Sequence, residues 1–458
     1  MEIIWRDSAT YEHARFERVY NLLRPNRYPA AIVRAKSESD IVEAVRLAHS
    51  KGLRIAVRSG GHSFAVWSVR DHSILLDLGD YREVTVDAAK REARVSPSTQ
   101  SNLDLQLMKD YGLMFGGGHC PDVSLGGYLL QGGIGWNCRN WGWGCEQVKA
   151  VDVVTADGRL VHCNTEENSD LFWAARGAGP GFPGIVTRFH LQLHPAPKVF
   201  RTSGYMFPKT HYREAFNWIL GLTSTFDDGT EISASGMYPD GKDEVAFFVY
   251  MVTMKDTAEE AQAALLPAQQ TRPPGAIEEW FCREDSLEQE YATQENAYPG
   301  GRRWLADNAF IRNDVDLAAV LEDAFLNLPD NNFTVLWYPL APRSRRPLPD
   351  MACSLQSDHY FGVYAIYQDE RDDERCLTWQ KQTMEKVERF SVGTFTGETD
   401  FQHREAKYWG DEQGLRLAEI RRKWDPEGRI CGYLDREDTS GVGGLSNRPG
   451  WQTQSAQL

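Results

Sequence analysis

No run in this chain approaches the ~20 consecutive apolar residues that span a bilayer. The amino terminus, MEIIWRDSATYEHARFERVY, also lacks the apolar core of a secretory signal. Cysteine is sparse: eight in 458 residues, at 120, 138, 145, 163, 282, 353, 376 and 431. That excludes a disulfide scaffold and favours a reducing compartment, read as the cytoplasm. Basic charge is short as well, with 50 Lys and Arg against 65 Asp and Glu and a net charge of -15, so a nucleic-acid partner is excluded along with a membrane. Zinc spacing is missing: Cys138 and Cys145 flank Trp141 and Trp143 and read as small buried hydrophobes, so no metal is expected. There is no internal repeat and no low-complexity block.

What remains is an ordinary globular composition, 41% hydrophobic and 25% charged, in a chain long enough for two or three domains. Residues 29–59 read as strand, helix and strand, with a Ser37–Asp40 start signal and Gly52 at the stop. SILLDL (73–78) reads as a buried strand, 83–96 and 148–164 as hairpins, and 99–111 as a helix ending at Gly112. Pro195 and Pro197 mark a boundary. From about 200 to 395, strand-like runs such as VAFFVYMVT and FTVLWYPL alternate with helical ones, which predicts an antiparallel sheet with helices. Helical periodicity returns over 402–424, and the segment beyond 436 is polar and reads as loosely ordered.

Two glycine-rich loops carry the chemistry. "RSGGHSF", Arg58 to Phe64, follows a strand and could cradle an anion with its amides. It could equally be a tight turn that His62 merely caps. "FGGGHCPDVSLGGYLLQGGIGW", Phe115 to Trp136, holds Cys120 among eight glycines. Such a density weakens helices and strands, and a loop wrapping a large planar or phosphorylated ligand explains it. The G-x-G-x-x-G dinucleotide fingerprint does not fit.

These two loops, together with "VDVVTADG", "DLFWAARGAGPGFPGIVTRFHL" and "KWDPEGRI", resemble the berberine-bridge-enzyme-like branch of the vanillyl-alcohol-oxidase superfamily. The likeness runs in order from about 28 to 195 and resumes over 401–432. It implies an α+β fold: a PCMH-type FAD-binding domain of two subdomains (1–198), a substrate domain with an antiparallel β-sheet covered by helices (199–398), and a segment returning to the first domain (399–458). It implies FAD, with Arg58, Ser59, Gly60, Gly61 and Ser63 at the pyrophosphate and covalent links from His62 to the 8α-carbon and from Cys120 to C6. Val123 falls at the family's oxygen gate, where valine goes with oxidases. Ser124, Gly126, Gly127, Gly132, Gly133 and Gly135 fall along the flavin, and Gly184, Ile185 and Val186 on its adenine side.

Departures from the family pattern bear on catalysis. Two tyrosines common beside the flavin are replaced by Ile134 and Phe395. Glu398 is then the first candidate base, with Tyr128, Tyr433 and His119 behind it; a surface salt bridge or helix entry is the bland reading of Glu398. Trp337, Tyr338, Tyr360, Phe361, Tyr364 and Tyr367 are candidates for the substrate side, about half of them by alternation. The resemblance implies an oxidase in which a base takes a proton from a small alcohol, amine or activated C–H compound, of an aromatic, heterocyclic or secondary-metabolite kind. Hydride passes to flavin N5, and dioxygen restores the flavin with release of peroxide. A dehydrogenase, oxidative cyclase or oxygenase with the same flavin is the alternative, and a vestigial flavin-binding protein the second alternative.

Overall fold

The structure is a computed structural model describing residues 1–433; the polar segment beyond 436 lies outside the described residues. The amino-terminal part builds two sheets. In the first, Glu2–Trp5 pairs antiparallel with Ala31–Arg34, which continues in parallel through Ser73–Asp77 to Arg54–Arg58. The helix Glu38–Ser50 crosses between two of these strands. Ser37 starts it by accepting the Asp40 amide at 3.2 Å, and Gly52 (φ +65°) stops it as Leu53 N–H reaches back to Ala48 C=O at 2.9 Å. The second sheet is antiparallel, ordered Val84–Asp87, Glu92–Val95, Gly184–Gln192, Val148–Thr155, Leu160–Cys163. Both expected hairpins lie in it, the latter turning at Gly158 (φ +80°).

An eight-stranded antiparallel sheet follows, ordered Glu278–Asp285, Val199–Pro208, Ala246–Lys255, Thr230–Met237, Phe333–Pro339, His359–Tyr367, Arg303–Ile311, Ser391–Gly393. Helices Tyr212–Leu222, Ala258–Thr271, Leu317–Leu326 and Asp373–Glu388 cover one face over a core that includes Phe216, Leu265, Leu321, Met384, Val335, Trp337 and Phe361. Period-2 alternation turns their neighbours Leu336, Tyr338 and Tyr360 to the opposite face, which looks at the glycine loops. A fifth helix, Leu287–Ala297, lies on that opposite face. Its Leu287 and Tyr291 pack with Met114 and Trp136 from the second glycine loop's end of the molecule.

The carboxyl-terminal part returns to the first sheet. Helical periodicity over 402–424 is realised only as Asp411–Trp424. Residues 401–409 are instead held irregular by longer-range bonds: Arg404 to Asp307 at 2.6 Å, and Trp409 Nε1 to Gly177 C=O at 2.9 Å. Beyond the helix, Ile55 donates to Arg429 at 2.8 Å and accepts from Cys431 at 2.7 Å, which covers the open edge of Arg54–Arg58. Among the described residues no helix is long and apolar enough to cross a membrane.

Candidate active site

The first loop leaves the strand Arg54–Arg58 and is clamped from both sides. A Cβ on Gly60 would fall 2.3 Å from Ser124 Oγ of the second loop, and one on Gly61 (φ +77°) 1.9 Å from Arg18 C=O. Only glycine fits either position. Arg58 is not available to a ligand: its guanidinium is buried against Asp77 at 2.7 Å and the carbonyls of Arg15 and Ala14 at 2.7 and 2.8 Å. The pyrophosphate role that the resemblance implied for Arg58 is therefore replaced by a structural one. Ser63 Oγ, by contrast, is buried with no hydrogen-bond partner, the kind of polar atom that asks for a ligand.

The second loop is pinned by one carboxylate. Asp104, fully buried, accepts the amides of Phe115, Gly116 and Gly117 at 2.6, 3.1 and 2.7 Å. Much of the glycine density serves internal packing rather than a ligand. Cβ atoms on Gly133, Gly135 and Gly144 would lie 2.7, 2.2 and 2.6 Å from the Tyr128 side chain. Tyr128 is itself buried, its hydroxyl donated to Gly116 C=O at 3.0 Å. It is thus the pillar around which the loop winds, and not a base. Gly132 packs on Trp143 and Cys353. Tyr433 is likewise withdrawn as a base, because it is buried against Gly181 with its hydroxyl on Ala178 C=O at 2.7 Å.

The remaining expected cofactor residues converge. Ser59, Gly126, Gly127, Gly184, Ile185 and Val186, from three separated segments, line a single cleft that Ile430 and Cys431 complete. Gly127 has open space beside it, the nearest atom to an added Cβ being Gln131 Oε1 at 3.7 Å. Ser124 is buried, and half-buried Val123 lies against Gly118 and caps the turn with Ser101.

The reactive groups lie near one another, outside the lining of this cleft. His62 Nε2 meets Asp122 Oδ1 at 3.2 Å, and its ring stacks on Tyr20 with centroids 3.9 Å apart. Burial, followed by the charges of Asp122, Glu398 and Glu295, pushes the Cys120 thiol up to about 12. Cys120 therefore shares its surroundings with His62's partner and with Glu398. Glu398 sits in the turn Thr396–Glu398 and accepts hydrogen bonds from Tyr360 and, at 2.6 Å, from Tyr364. Burial first, then the Glu398 charge, hold both phenols well above their ordinary value, so they remain donors. Asn308 fixes the turn, binding Phe395 C=O and Glu398 C=O at 2.9 and 3.0 Å and accepting the Phe395 amide at 2.8 Å. Gln131 ties it to the second loop through Thr396 C=O at 3.0 Å. Glu398 is neither a surface ion pair nor a helix entry.

His119 points elsewhere, to Glu231 at 3.1 Å on the strand Thr230–Met237, with Trp136 edge-on at 4.6 Å. Of the six aromatic candidates, Tyr338, Tyr360 and Tyr364 are on the loop-facing side, while Trp337, Phe361 and Tyr367 belong to the helix-covered core. Tyr20, Glu295 and Tyr298 were not marked by any motif, and Asp122, inside the second glycine loop, was not singled out. Tyr20 in particular comes from an amino-terminal segment whose position over the first loop only the tertiary structure reveals.

Residues 29–164 match the FAD binding domain family. An FAD-linked oxidoreductase of Hypoxylon pulicicidum, nodO, is 37% identical over 441 residues, covering 95% of this chain and 97% of that protein. The chain belongs to the family of FAD-linked oxidoreductases. Solved structures share its fold. BBE-like 1 of Physcomitrella patens superimposes with a TM-score of 0.81 at 18% identity, covering 98% of this chain and 97% of that one. The 6-hydroxy-D-nicotine oxidase of Arthrobacter nicotinovorans gives 0.80 at 21%, covering 94% and 97%. The PCMH-type architecture expected from the sequence is thus the observed one, and the protein is an oxidoreductase acting on small molecules. The family's cofactor suits what the loops present: a buried unpaired Ser63 hydroxyl, a clamped diglycine turn, and a cleft lined from three segments.

Proposed function

We propose that this protein is an oxidase that carries FAD on two tethers, His62 and Cys120, with Glu398 as the base that takes the substrate's proton. The observation that carries the reading is that two nucleophiles from separate glycine loops share one neighbour, Asp122, which meets His62 at 3.2 Å and acts on Cys120, while Glu398 from a third segment acts on Cys120 as well. When bound, FAD supplies a hydride acceptor at N5 and passes the electrons to dioxygen. Residues 1–198 and, of the segment 399–458, the described stretch 399–433 form the flavin's housing in this reading, and 199–398 the substrate side.

Glu398 is half-buried and held by two phenols, so its acceptor atoms are aimed rather than free to wander. Tyr360 and Tyr364 supply from the strand His359–Tyr367 the phenols that Ile134 and Phe395 do not. Gly362 between them matters, since a Cβ there would fall 2.7 Å from Tyr364 Oη. Tyr298, Trp304 and Tyr364 pack together beside this point, which favours a small aromatic or heterocyclic alcohol, amine or activated C–H compound. Val123, at the family's oxygen gate, supports dioxygen as acceptor. All eight cysteines are free thiols, which fits a reducing, cytoplasmic setting.

A tryptic digest of the denatured protein, read by mass spectrometry, tests the tethers. A flavin bridging the peptides of His62 and Cys120 is expected; flavin on His62 alone removes the second link, and no covalent flavin removes both. Oxidase outcome is tested separately, by peroxide release during turnover. A flavin reduced by substrate without air yet stable when air is admitted points instead to a dehydrogenase.

A further inference from the structure

Between the two reactive side chains stands a third group. Asp122, two residues beyond Cys120, meets His62 Nε2 at 3.2 Å. The face of the His62 ring is held by Tyr20, at 3.9 Å and 20° between planes. Tyr20 is fixed in turn: its hydroxyl donates to Tyr298 C=O at 2.5 Å and its amide to Gly61 C=O at 3.0 Å. An imidazole has two freedoms, the orientation of its plane and the choice of tautomer. Stacking settles the first. The carboxylate settles the second, because it can only accept, so in the neutral imidazole Nε2 carries the hydrogen and Nδ1 keeps its lone pair.

We infer that Asp122 is a positioning residue for cofactor attachment, holding His62 with Nδ1 as the nucleophile and favouring formation of the His62 link ahead of the Cys120 link. The inference rests on the covalent reading above. Attachment forms one bond from Nδ1 to the 8α-carbon and breaks one C–H bond there. The two electrons and two protons released overall leave with dioxygen as hydrogen peroxide. As Nδ1 bonds to carbon, positive charge builds on the imidazole, and the carboxylate on Nε2 is placed to stabilise it.

The same carboxylate works against the other nucleophile. Sulfur attacks as thiolate, and after burial the Asp122 charge is the next largest influence holding the Cys120 thiol protonated. Burial, the largest single influence, pushes the Asp122 carboxyl up, but the His62 hydrogen bond and charge, with the residue's own backbone amide, together hold it below its ordinary value and therefore charged. One anion thus favours one tether and hinders its neighbour, an asymmetry that follows from the short Cys120-Pro-Asp122 step.

The test is peptide mapping of flavin on wild type, Asp122→Asn and Asp122→Glu, each first checked for bound yellow FAD before denaturation. Asp122→Asn is expected to lower the His62-linked share relative to the Cys120-linked share at least about tenfold, and Asp122→Glu to recover most of it. An unchanged ratio in Asp122→Asn, or a loss that Asp122→Glu does not recover, overturns the inference. Should Asp122→Asn be isolated colourless, apo-protein incubated with FAD and sampled over time gives the same ratio from the first labelled peptides, and a wild-type ratio there overturns it too. Absence of covalent flavin in the wild type is a different failure: it removes the parent reading and this one with it.

Discussion

A carboxylate that takes a proton must be aimed at its substrate and kept from pairing with a stray cation. Glu398 meets both conditions through neutral partners, Tyr360 and Tyr364, and through a turn fixed by Asn308. Glu398→Gln keeps the shape and removes the basicity. Flavin reduction by substrate, followed anaerobically, should slow by roughly 10²–10⁴-fold with flavin content unchanged, and Tyr364→Phe should cost about tenfold. Reduction at the wild-type rate in Glu398→Gln would remove Glu398 as the base. Motif spacing marked His62, Cys120 and Glu398 as candidates, and the structure gives His62 the Asp122 carboxylate and Glu398 two phenols as partners. Tyr360 and Tyr364 stood among six aromatic candidates, but which of the six share a face with Glu398 depends on the register of His359–Tyr367 against Phe333–Pro339, which the sequence leaves open.

The glycine loop Phe115–Trp136 carries two kinds of glycine that look alike in sequence. Gly133 has φ +84° and an added Cβ there would fall 2.7 Å from the Tyr128 ring, whereas Gly127 lies in the short helix Leu125–Leu130 beside open cleft. Gly133→Ala should destabilise the fold by about 2–4 kcal/mol, through overpacking and left-handed strain, in denaturant unfolding. Gly127→Ala should leave unfolding unchanged or slightly favoured, yet reduce FAD incorporation because its methyl enters the cleft. The reverse pattern would mean the loop's packing and binding faces have been exchanged. Elements with strong periodicity were similarly legible, down to the caps of Glu38–Ser50. Strand Glu278–Asp285, helix Leu287–Ala297, strand Arg303–Ile311 and helix Asp373–Glu388 were not. The first is an exposed edge, the two helices are mostly polar, and the third is a strand buried along almost its whole length that hides Asp307 and Asn308. Asp307 is buried because Arg404, from the distant returning segment, pairs with it at 2.6 Å, a partnership no local pattern can announce.

At the scale of the whole molecule, helix Leu287–Ala297 wedges between the eight-stranded sheet and the end of the second glycine loop, and it brings a titratable group into the seam. Glu290 is fully buried, with Tyr250 donating to it at 2.5 Å. Burial, with Asp285 and Glu231 nearby, outweighs that bond and raises its carboxyl to about 8. The unfolded chain releases this proton near the ordinary glutamate value of ~4.3, so between there and about 8 the folded state holds a proton the unfolded state lacks. Stability contributed by the protonated group is therefore complete at low pH and lost as pH rises through that window, by up to ~1.4 kcal/mol per pH unit. Glu290→Gln, which mimics the protonated acid, should melt close to wild type near pH 4 and clearly above it at pH 9. Thermal unfolding of both proteins across that range checks this. A constant difference in melting temperature at all pH values would show that Glu290 is ionised in the fold, and that the seam between the two halves is held by charge rather than by a protonated carboxyl.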